Sequence, residues 1–270
     1  AEALSFSLVA GEASGDLLAG LLLGGMRDRW PDMHSAGIGG PRMAALGFEP
    51  WWPYEKLAVR GYVEVLRHYR EIVGIRNQLR ERLLANPPSA FIGVDAPDFN
   101  LDLERDLKAQ GIPTVHFVCP SIWAWRAERI EKIKQSVDHV LCIFPFETEI
   151  YDRAGVASTY VGHPLASEIP LEPNPVKARE QLSTLLHFPA NTLEGIVIAV
   201  LPGSRGSEIE LIAPVFFETM QLLAKQMQGQ KLHFLIPVAT PRLREPLAQL
   251  LQQAKKVNPD IQIYLLDGRA

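Results

Sequence analysis

The chain has 270 residues, 47% of them hydrophobic and 21% charged, an ordinary composition for a globular protein. That length exceeds one typical domain and points to two. A net charge of −4 gives no electrostatic basis for general nucleic-acid binding. No apolar run approaches the ~20 residues needed to span a bilayer.

Residues 4–9 read as a first buried strand, too short and without the basic flank of a secretory signal. The strand opens into Ala10-Gly11-Glu12-Ala13-Ser14-Gly15-Asp16, and a helix is expected over 17–29. A glycine-rich strand-to-helix turn lets backbone N–H groups approach a ligand, and the helix N-terminus favours anions. The spacing is neither G-x-G-x-x-G nor the P-loop lysine motif. Glu12 suits a sugar hydroxyl or a cation better than a phosphate; the alternative is that Glu12 and Asp16 only complement the helix N-terminus.

Residues 35–39 read as a second strand, followed by Gly40-Pro41 and a short helix through Leu46. Residues 57–84 read as one long helix or a broken pair, with Tyr62, Leu66, Tyr69, Val73 and Leu79 at near-helical spacing. Between Arg60 and Arg82 lie six arginines (60, 67, 70, 76, 80, 82) and three glutamates (64, 71, 81), net +3. A basic amphipathic helix in an acidic protein suits an anionic membrane surface; a core-facing helix with a solvated arginine face is the alternative.

The apolar run 90–94, bounded upstream by Pro87-Pro88, reads as a buried strand. It ends in two carboxylates, Asp95 and Asp98, with Pro97 between them to bend the chain, then a helix over 99–110 stopped by Gly111. Strand, acidic turn and helix form the unit with which open α/β sheets build sites at the carboxyl ends of strands. Asp95 is the candidate general base. Asp98 reads as a cap for the helix or an orienting partner.

Residues 114–118 read as another strand, running into Cys119-Pro120-Ser121-Ile122-Trp123-Ala124-Trp125-Arg126. Trp123 and Trp125 offer flat apolar surface for a sugar or acyl chain beside Ser121 and Arg126; packing between sheet and helices is the alternative. Cys119 and Cys142 lie in apolar runs, which fits reduced thiols in a cytosolic protein. A helix is expected over 126–135, a strand over 139–144, a helix over 146–154 stopped by Gly155, and a strand over 159–164 with His163 at its end. Seven scattered histidines with no ligand-spaced set suggest no metal site. His163 reads as structural or catalytic.

Glu172-Pro173-Asn174-Pro175 has linker composition and places a domain boundary between 171 and 172. A helix over 176–186 leads to a strand over 196–201, the turn Pro202-Gly203-Ser204-Arg205-Gly206-Ser207-Glu208, and a helix over 209–228. Here Gly203 and Gly206 free the backbone, the helix N-terminus faces the turn, and Arg205 adds a bidentate donor, so phosphate binding is expected. Strands over 231–237 and 261–266 flank a helix over 242–256.

Five segments now stand in order along the chain: Ala10 to Asp16, Gly93-Val94-Asp95-Ala96-Pro97-Asp98-Phe99-Asn100, Pro120 to Arg126, Gly162-His163-Pro164, and Leu201 to Glu208. Together they closely resemble bacterial lipid-A-disaccharide synthases. The resemblance implies an α/β chain of GT-B architecture, with two Rossmann-like domains of parallel sheets facing across a cleft, the second incomplete here. It implies an inverting transfer of 2,3-diacylglucosamine from UDP-2,3-diacylglucosamine to the 6-hydroxyl of 2,3-diacylglucosamine 1-phosphate. UDP and the β-1,6 lipid A disaccharide would be the products, made at the cytoplasmic face of the inner membrane of a Gram-negative cell.

In those terms, 1–171 is the acceptor- and lipid-binding domain and 172–270 part of the nucleotide-sugar-binding domain. Asp95, Asp98 and Glu12 would share the acid/base work; Ser14, Trp123, Trp125, Arg126 and His163 would meet substrate. Gly203, Ser204, Arg205 and Glu208 would meet the nucleotide, with no metal and no cofactor. The partners implied are the two lipid substrates and an anionic inner-membrane surface, with no nucleic acid. The family continues beyond Ala270 through the part expected to bind uracil and ribose and to form homodimer contacts; if the protein ends at Ala270, little or no transferase activity is expected. Two rival readings remain: a UDP-sugar epimerase on the same fold, and a non-catalytic lipid-binding module.

Overall fold

The computed structural model describes residues 4–57, 62–119, 122, 128–189 and 192–267, apart from the side chains of 62–68, 167 and 168. The chain divides into two compact units, Ala1–Pro170 and Leu171–Ala270.

The first unit contains strands β1 (Ser5–Ala10), β2 (His34–Gly39), β3 (Glu49–Pro53), β4 (Ala90–Val94), β5 (Thr114–Phe117), β6 (His139–Cys142) and β7 (Ser158–Tyr160). Its helices are α1 (Ala13–Arg29), α2 (Pro41–Ala44), α3 (Tyr62–Ala85), α4 (Pro97–Lys108), α5 (Arg129–Ser136), α6 (Glu147–Ala154) and α7 (Leu165–Glu168). The strands form one sheet in the order β3-β2-β1-β4-β5-β6-β7, and all its pairings are parallel. This is the doubly wound, Rossmann-like order, and the chain reverses direction across the sheet between β1 and β4.

Strand alternation assigns the two faces. Leu8, Ala10, Ile92 and Val94 pack with Ala19, Leu23 and Met26 of α1. Val9 and Phe91 point the other way, onto Ile75, Leu79 and Leu83 of α3 and Phe99, Leu103 and Leu107 of α4. A strand covered on both faces must be apolar at every position, which is why the run 90–94 was legible as a buried strand.

Local differences from the sequence reading have physical causes. The strand β3 was not among the expected elements; it contains Pro50 and Pro53 and lies at the sheet edge, where a missing N–H is tolerated. Helix α1 begins at Ala13 rather than 17, so Asp16 is inside the helix and buried. Its carboxylate does not face a ligand: it accepts the backbone N–H groups of Gly40 (2.9 Å), Arg42 (3.0 Å) and Met43 (3.2 Å), capping α2 from a neighbouring element. Residues 62–85 form one unbroken helix.

The second unit holds α8 (Pro175–Leu185), β8 (Ile196–Ala199), α9 (Gly206–Gln226), β9 (Leu232–Val238), α10 (Arg244–Val257) and β10 (Gln262–Asp267). Its three strands are parallel in the order β10-β9-β8. Ile209, Ala213, Phe217 and Met220 of α9 pack with Phe234 and Ile236 of β9 and with Leu247 and Ala254 of α10. Asn174 caps α8 by accepting the Lys177 N–H at 3.0 Å, so a residue of the linker-like run also starts a helix.

Candidate active site

The reversal point of the first sheet brings the turns after β1 and β4 side by side. Ala10 is in register with Val94, so Glu12 and Asp95 leave the carboxyl ends of adjacent strands. The two turns touch: a Cβ on Gly11 would stand 3.0 Å from the Ala96 Cβ. A side chain at Gly11 would crowd the Ala96 methyl. The crevice at such a reversal is where open α/β sheets place ligands.

Asp95 follows β4 directly and is half-buried. Its N–H donates to the Phe117 carbonyl at 2.9 Å, and its own carbonyl accepts the Asn100 Nδ2–H at 2.8 Å. The carboxylate itself has no hydrogen bond or ion pair among the described residues. Asp95 and Ala96 both adopt left-handed backbone conformations, with φ +52° and +44°. Each costs on the order of 1 kcal/mol or more for a residue with a side chain, and such costs concentrate at functional sites. Among the described residues, Asp95 is thus a carboxylate whose backbone is held in place while its side chain has no partner.

Asp98 behaves differently. The N-cap of α4 is Ala96, and Asp98 lies inside the first turn without capping it, which corrects the capping role expected from sequence. Its carboxylate is 85% exposed and pairs with Arg129 Nη2 at 3.0 Å. The reason is register: α4 starts at Pro97, ahead of the expected 99, so Asp98 is carried past the cap position. It still complements the helix N-terminus electrostatically.

Glu12 occupies the N-cap position of α1 with an extended backbone, although its side chain makes no capping bond, and Ser14 is exposed in the first turn. His163 lies after β7, three strands from β4, roughly 14 Å at the usual spacing. Its Nδ1 accepts the Leu165 N–H at 3.3 Å, at the start of α7. Trp123, Trp125 and Arg126 lie outside the described residues, as does Ser121.

Sequence reasoning passed over the groups buried behind Asp95. Glu104 of α4 and His116 of β5 are wholly buried, with Nδ1 2.8 Å from Glu104 Oε1. Asn100 is 0% exposed. Gly93 leaves room for both: a Cβ there would stand 2.2 Å from Glu104 Oε1 and 2.9 Å from the Asn100 Cβ. The glycine in an otherwise bulky strand was the available signal.

In the second unit, the turn after β8 is organised by Glu208. Its Oε2 accepts the N–H groups of Ser204 (2.8 Å) and Arg205 (3.2 Å), and its Oε1 accepts from the Arg205 guanidinium at 2.7 Å. The backbone bond from Ser204, more than the offsetting burial and with further help from Arg205, holds the Glu208 carboxyl below its ordinary range. Gly203, at φ +130°, turns the chain into this arrangement. The expected phosphate-binding groups are thus partly engaged by an internal anion, while the Gly206 and Ser207 N–H groups at the start of α9 have no partner among the described residues.

Three arginines of α3 have partners on neighbouring elements. Arg76 pairs with Asp102 at 3.0 Å and Arg80 with Asp106 at 3.2 Å, while the Arg82 guanidinium sits 3.7 Å above the Trp51 ring. The buried stripe is Ile75, Leu79 and Leu83, whereas Tyr69, one of the expected apolar positions, is 58% exposed. Arg60 and the side chains of Tyr62, Leu66 and Arg67 lie outside the described residues. No described helix is long and apolar enough to cross a membrane.

Solved structures similar to this chain include UDP-GlcNAc 2-epimerase from Neisseria meningitidis bound to UDP-GlcNAc, at TM-score 0.62 and 11% identity, covering 98% of this chain and 72% of that one. The Methanocaldococcus jannaschii enzyme in complex with UDP-GlcNAc and UDP matches at TM-score 0.62 and 12% identity, covering 98% and 74%. These likenesses establish the fold, which is of the GT-B class with Rossmann-like units. Among curated relatives, lipid-A-disaccharide synthase of Burkholderia mallei (strain SAVP1) is 56% identical over 268 residues, 99% of this chain, and that of Paraburkholderia phytofirmans is 54% identical over the same span. The chain spans 66% of the length of these relatives. With residues 6–270 matching the family description "Lipid-A-disaccharide synthetase" as well, the chain belongs to the lipid-A-disaccharide synthetase family.

Proposed function

We propose that this chain carries the acceptor site and part of the donor site of an inverting glycosyltransferase. It moves 2,3-diacylglucosamine from its UDP derivative to the 6-hydroxyl of 2,3-diacylglucosamine 1-phosphate. Asp95 supports the reading most: a carboxylate with no partner among the described residues, on a backbone held at the sheet reversal, in a chain 56% identical to a relative named for this disaccharide synthesis. Asp95 takes the proton of the 6-hydroxyl as that oxygen bonds to the anomeric carbon and the bond to UDP breaks on the opposite face. Inversion follows from that single displacement. The charge left on UDP is met by the N-terminal N–H groups of α9 and by Arg205, which exchanges its internal partner Glu208 for phosphate oxygens. Glu12, beside Asp95, binds sugar hydroxyls; Ser14, Trp123, Trp125, Arg126 and His163 complete the substrate surface, and Asp98 orients α5 through Arg129.

The same reading assigns residues 1–171 to acceptor and lipid binding and 172–270 to the nucleotide sugar. It places the protein on the cytoplasmic face of the inner membrane, with the exposed Tyr69 and Arg70 of α3 toward anionic lipid. Binding to anionic vesicles that falls on Arg70→Glu, with neutral vesicles unaffected, is expected from that contact.

The deciding experiment is Asp95→Asn in the full-length enzyme. Turnover falls about 10²-fold or more, the scale of a lost general base, while UDP-sugar binding persists. Near-normal turnover would remove Asp95 as the base. Epimerised UDP-sugar formed without any acceptor would overturn the transferase reading altogether.

A further inference from the structure

We propose that Asn100 is a positioning residue for Asp95, holding the main chain of the base in the conformation that aims its carboxylate. The inference rests on the reading of Asp95 as the base. Asp95 has a left-handed backbone, φ +52°, and so does Ala96 after it, φ +44°. Two such residues in succession do not persist unless neighbours hold them. The Asp95 peptide is held from both sides: its N–H by the Phe117 carbonyl of β5 at 2.9 Å, its carbonyl by Asn100 Nδ2 at 2.8 Å. Asn100 is the only side chain among the described residues that bonds this carbonyl.

The orientation of the amide is dictated by its surroundings. Both oxygens before Nδ2 are carbonyls, Asp95 O at 2.8 Å and Val9 O at a long 3.5 Å, so the NH₂ group must face them. Val9 belongs to β1, so the same amide lies between the two strands whose turns form the crevice. The other end of the side chain gains nothing: Asn100 Oδ1 is buried without a partner among the described residues. Asparagine is also a weak helix former, and this one is the fourth residue of α4. An apolar residue would avoid the orphaned acceptor, so stability alone does not account for asparagine here. What it supplies is a donor aimed at one carbonyl.

The test compares Asn100→Ala with the double variant Asn100→Ala/Ala96→Gly in the full-length enzyme. Glycine at 96 tolerates a positive φ, so it relieves the strain that losing the Asn100 bond would leave unsupported. We expect Asn100→Ala to lower kcat about 10- to 100-fold with KM changed less than about twofold, as small misplacements of reacting groups do. The double variant should recover melting temperature without recovering kcat. Recovery of kcat together with stability would overturn the positioning role, as would a loss confined to KM. If the single variant does not fold, the double variant alone carries the comparison with the parent chain. Asp95→Asn run beside them separates the two claims. An active Asp95→Asn overturns the base and the positioning together, whereas an inactive one beside an active double variant overturns the positioning alone.

Discussion

Glu208 holds Arg205 twice, by the guanidinium at 2.7 Å and by the backbone N–H at 3.2 Å. It also takes the Ser204 N–H, so one carboxylate shapes the whole turn into α9. A carboxylate of the chain itself thus takes the donors of this turn.

Glu208→Gln keeps a hydrogen-bond acceptor and removes the charge. The variant should lose about 0.5–1 kcal/mol at pH 7, the scale of a weakened helix cap. The sign with pH follows from the depressed carboxyl: the contribution is present above the ordinary glutamate range and is lost as pH falls through the lowered folded value. Parent and variant should therefore converge in urea stability in acid. A gap that widens below pH 4 would be inconsistent with the ion pair.

Asp102 gathers three cations: Lys132 Nζ at 2.8 Å, Arg76 Nη1 at 3.0 Å and Arg105 Nη1 at 3.7 Å. It thereby ties α3 and α5 to α4, the helix behind Asp95. Burial alone would raise its carboxyl, but Lys132, Arg76 and Arg105 outweigh that and hold it below the ordinary range. Asp102→Asn should cost roughly 1–2 kcal/mol at neutral pH, above an isolated surface pair because one half-buried carboxylate serves three partners. As with any depressed carboxyl, the stabilisation is present above the ordinary aspartate range and fades as pH falls through the folded value. Urea titrations at neutral pH and in acid would measure both.

The cysteines give a third expectation. Both are free and buried. Burial pushes the Cys142 thiol up to about 12 and the Cys119 thiol well above its ordinary value, against the opposing bond from Tyr151. Neither is a thiolate near neutral pH, so a disulfide-exchange reagent should label neither in the folded chain and both in denaturant. Fast labelling of the native protein would contradict the burial.

What the sequence made legible was what repeats or what is apolar. The run 90–94 could be read because a doubly covered strand has no polar position, and the turn at 202–208 because its glycines and arginine precede a clear helix. Edge strand β3 was hidden by Pro50 and Pro53, whose cost depends on a position in the sheet that no local pattern carries. Helical spacing in α3 did not separate core from surface for a similar reason: Tyr69 is as apolar by composition as Leu79, and only contact with the sheet distinguishes Ile75, Leu79 and Leu83. At the candidate site, Asp95 stood out because a carboxylate closes an apolar strand. Asn100, Glu104 and His116 did not, because polar residues on a helix and a short strand look solvated until the fold buries them. The Glu208 bonds to its own turn were equally out of reach, since a glutamate in a first helical turn reads as charge complementing the dipole.

The buried pair behind Asp95 offers the last test. Glu104 and His116 are both fully buried, the ring Nδ1 lies within hydrogen-bond distance of both carboxylate oxygens, and Gly93 is glycine because Glu104 Oε1 occupies the space of a Cβ. Removing one partner strands the other in a low-dielectric interior, so Glu104→Ala should cost about 3–5 kcal/mol. Gly93→Ala in the parent should be comparably damaging, because its methyl meets a carboxylate that cannot leave a full core. The two losses should not add. With Glu104 truncated, the methyl has somewhere to go, although the Asn100 Cβ at 2.9 Å still resists it. Gly93→Ala should then cost at least ~1 kcal/mol less in the Glu104→Ala background, a coupling within the range of contacting residues. Additive losses in urea denaturation would mean that Glu104 is not what fixes glycine at 93, and would leave Asn100 as the neighbour that excludes a side chain there.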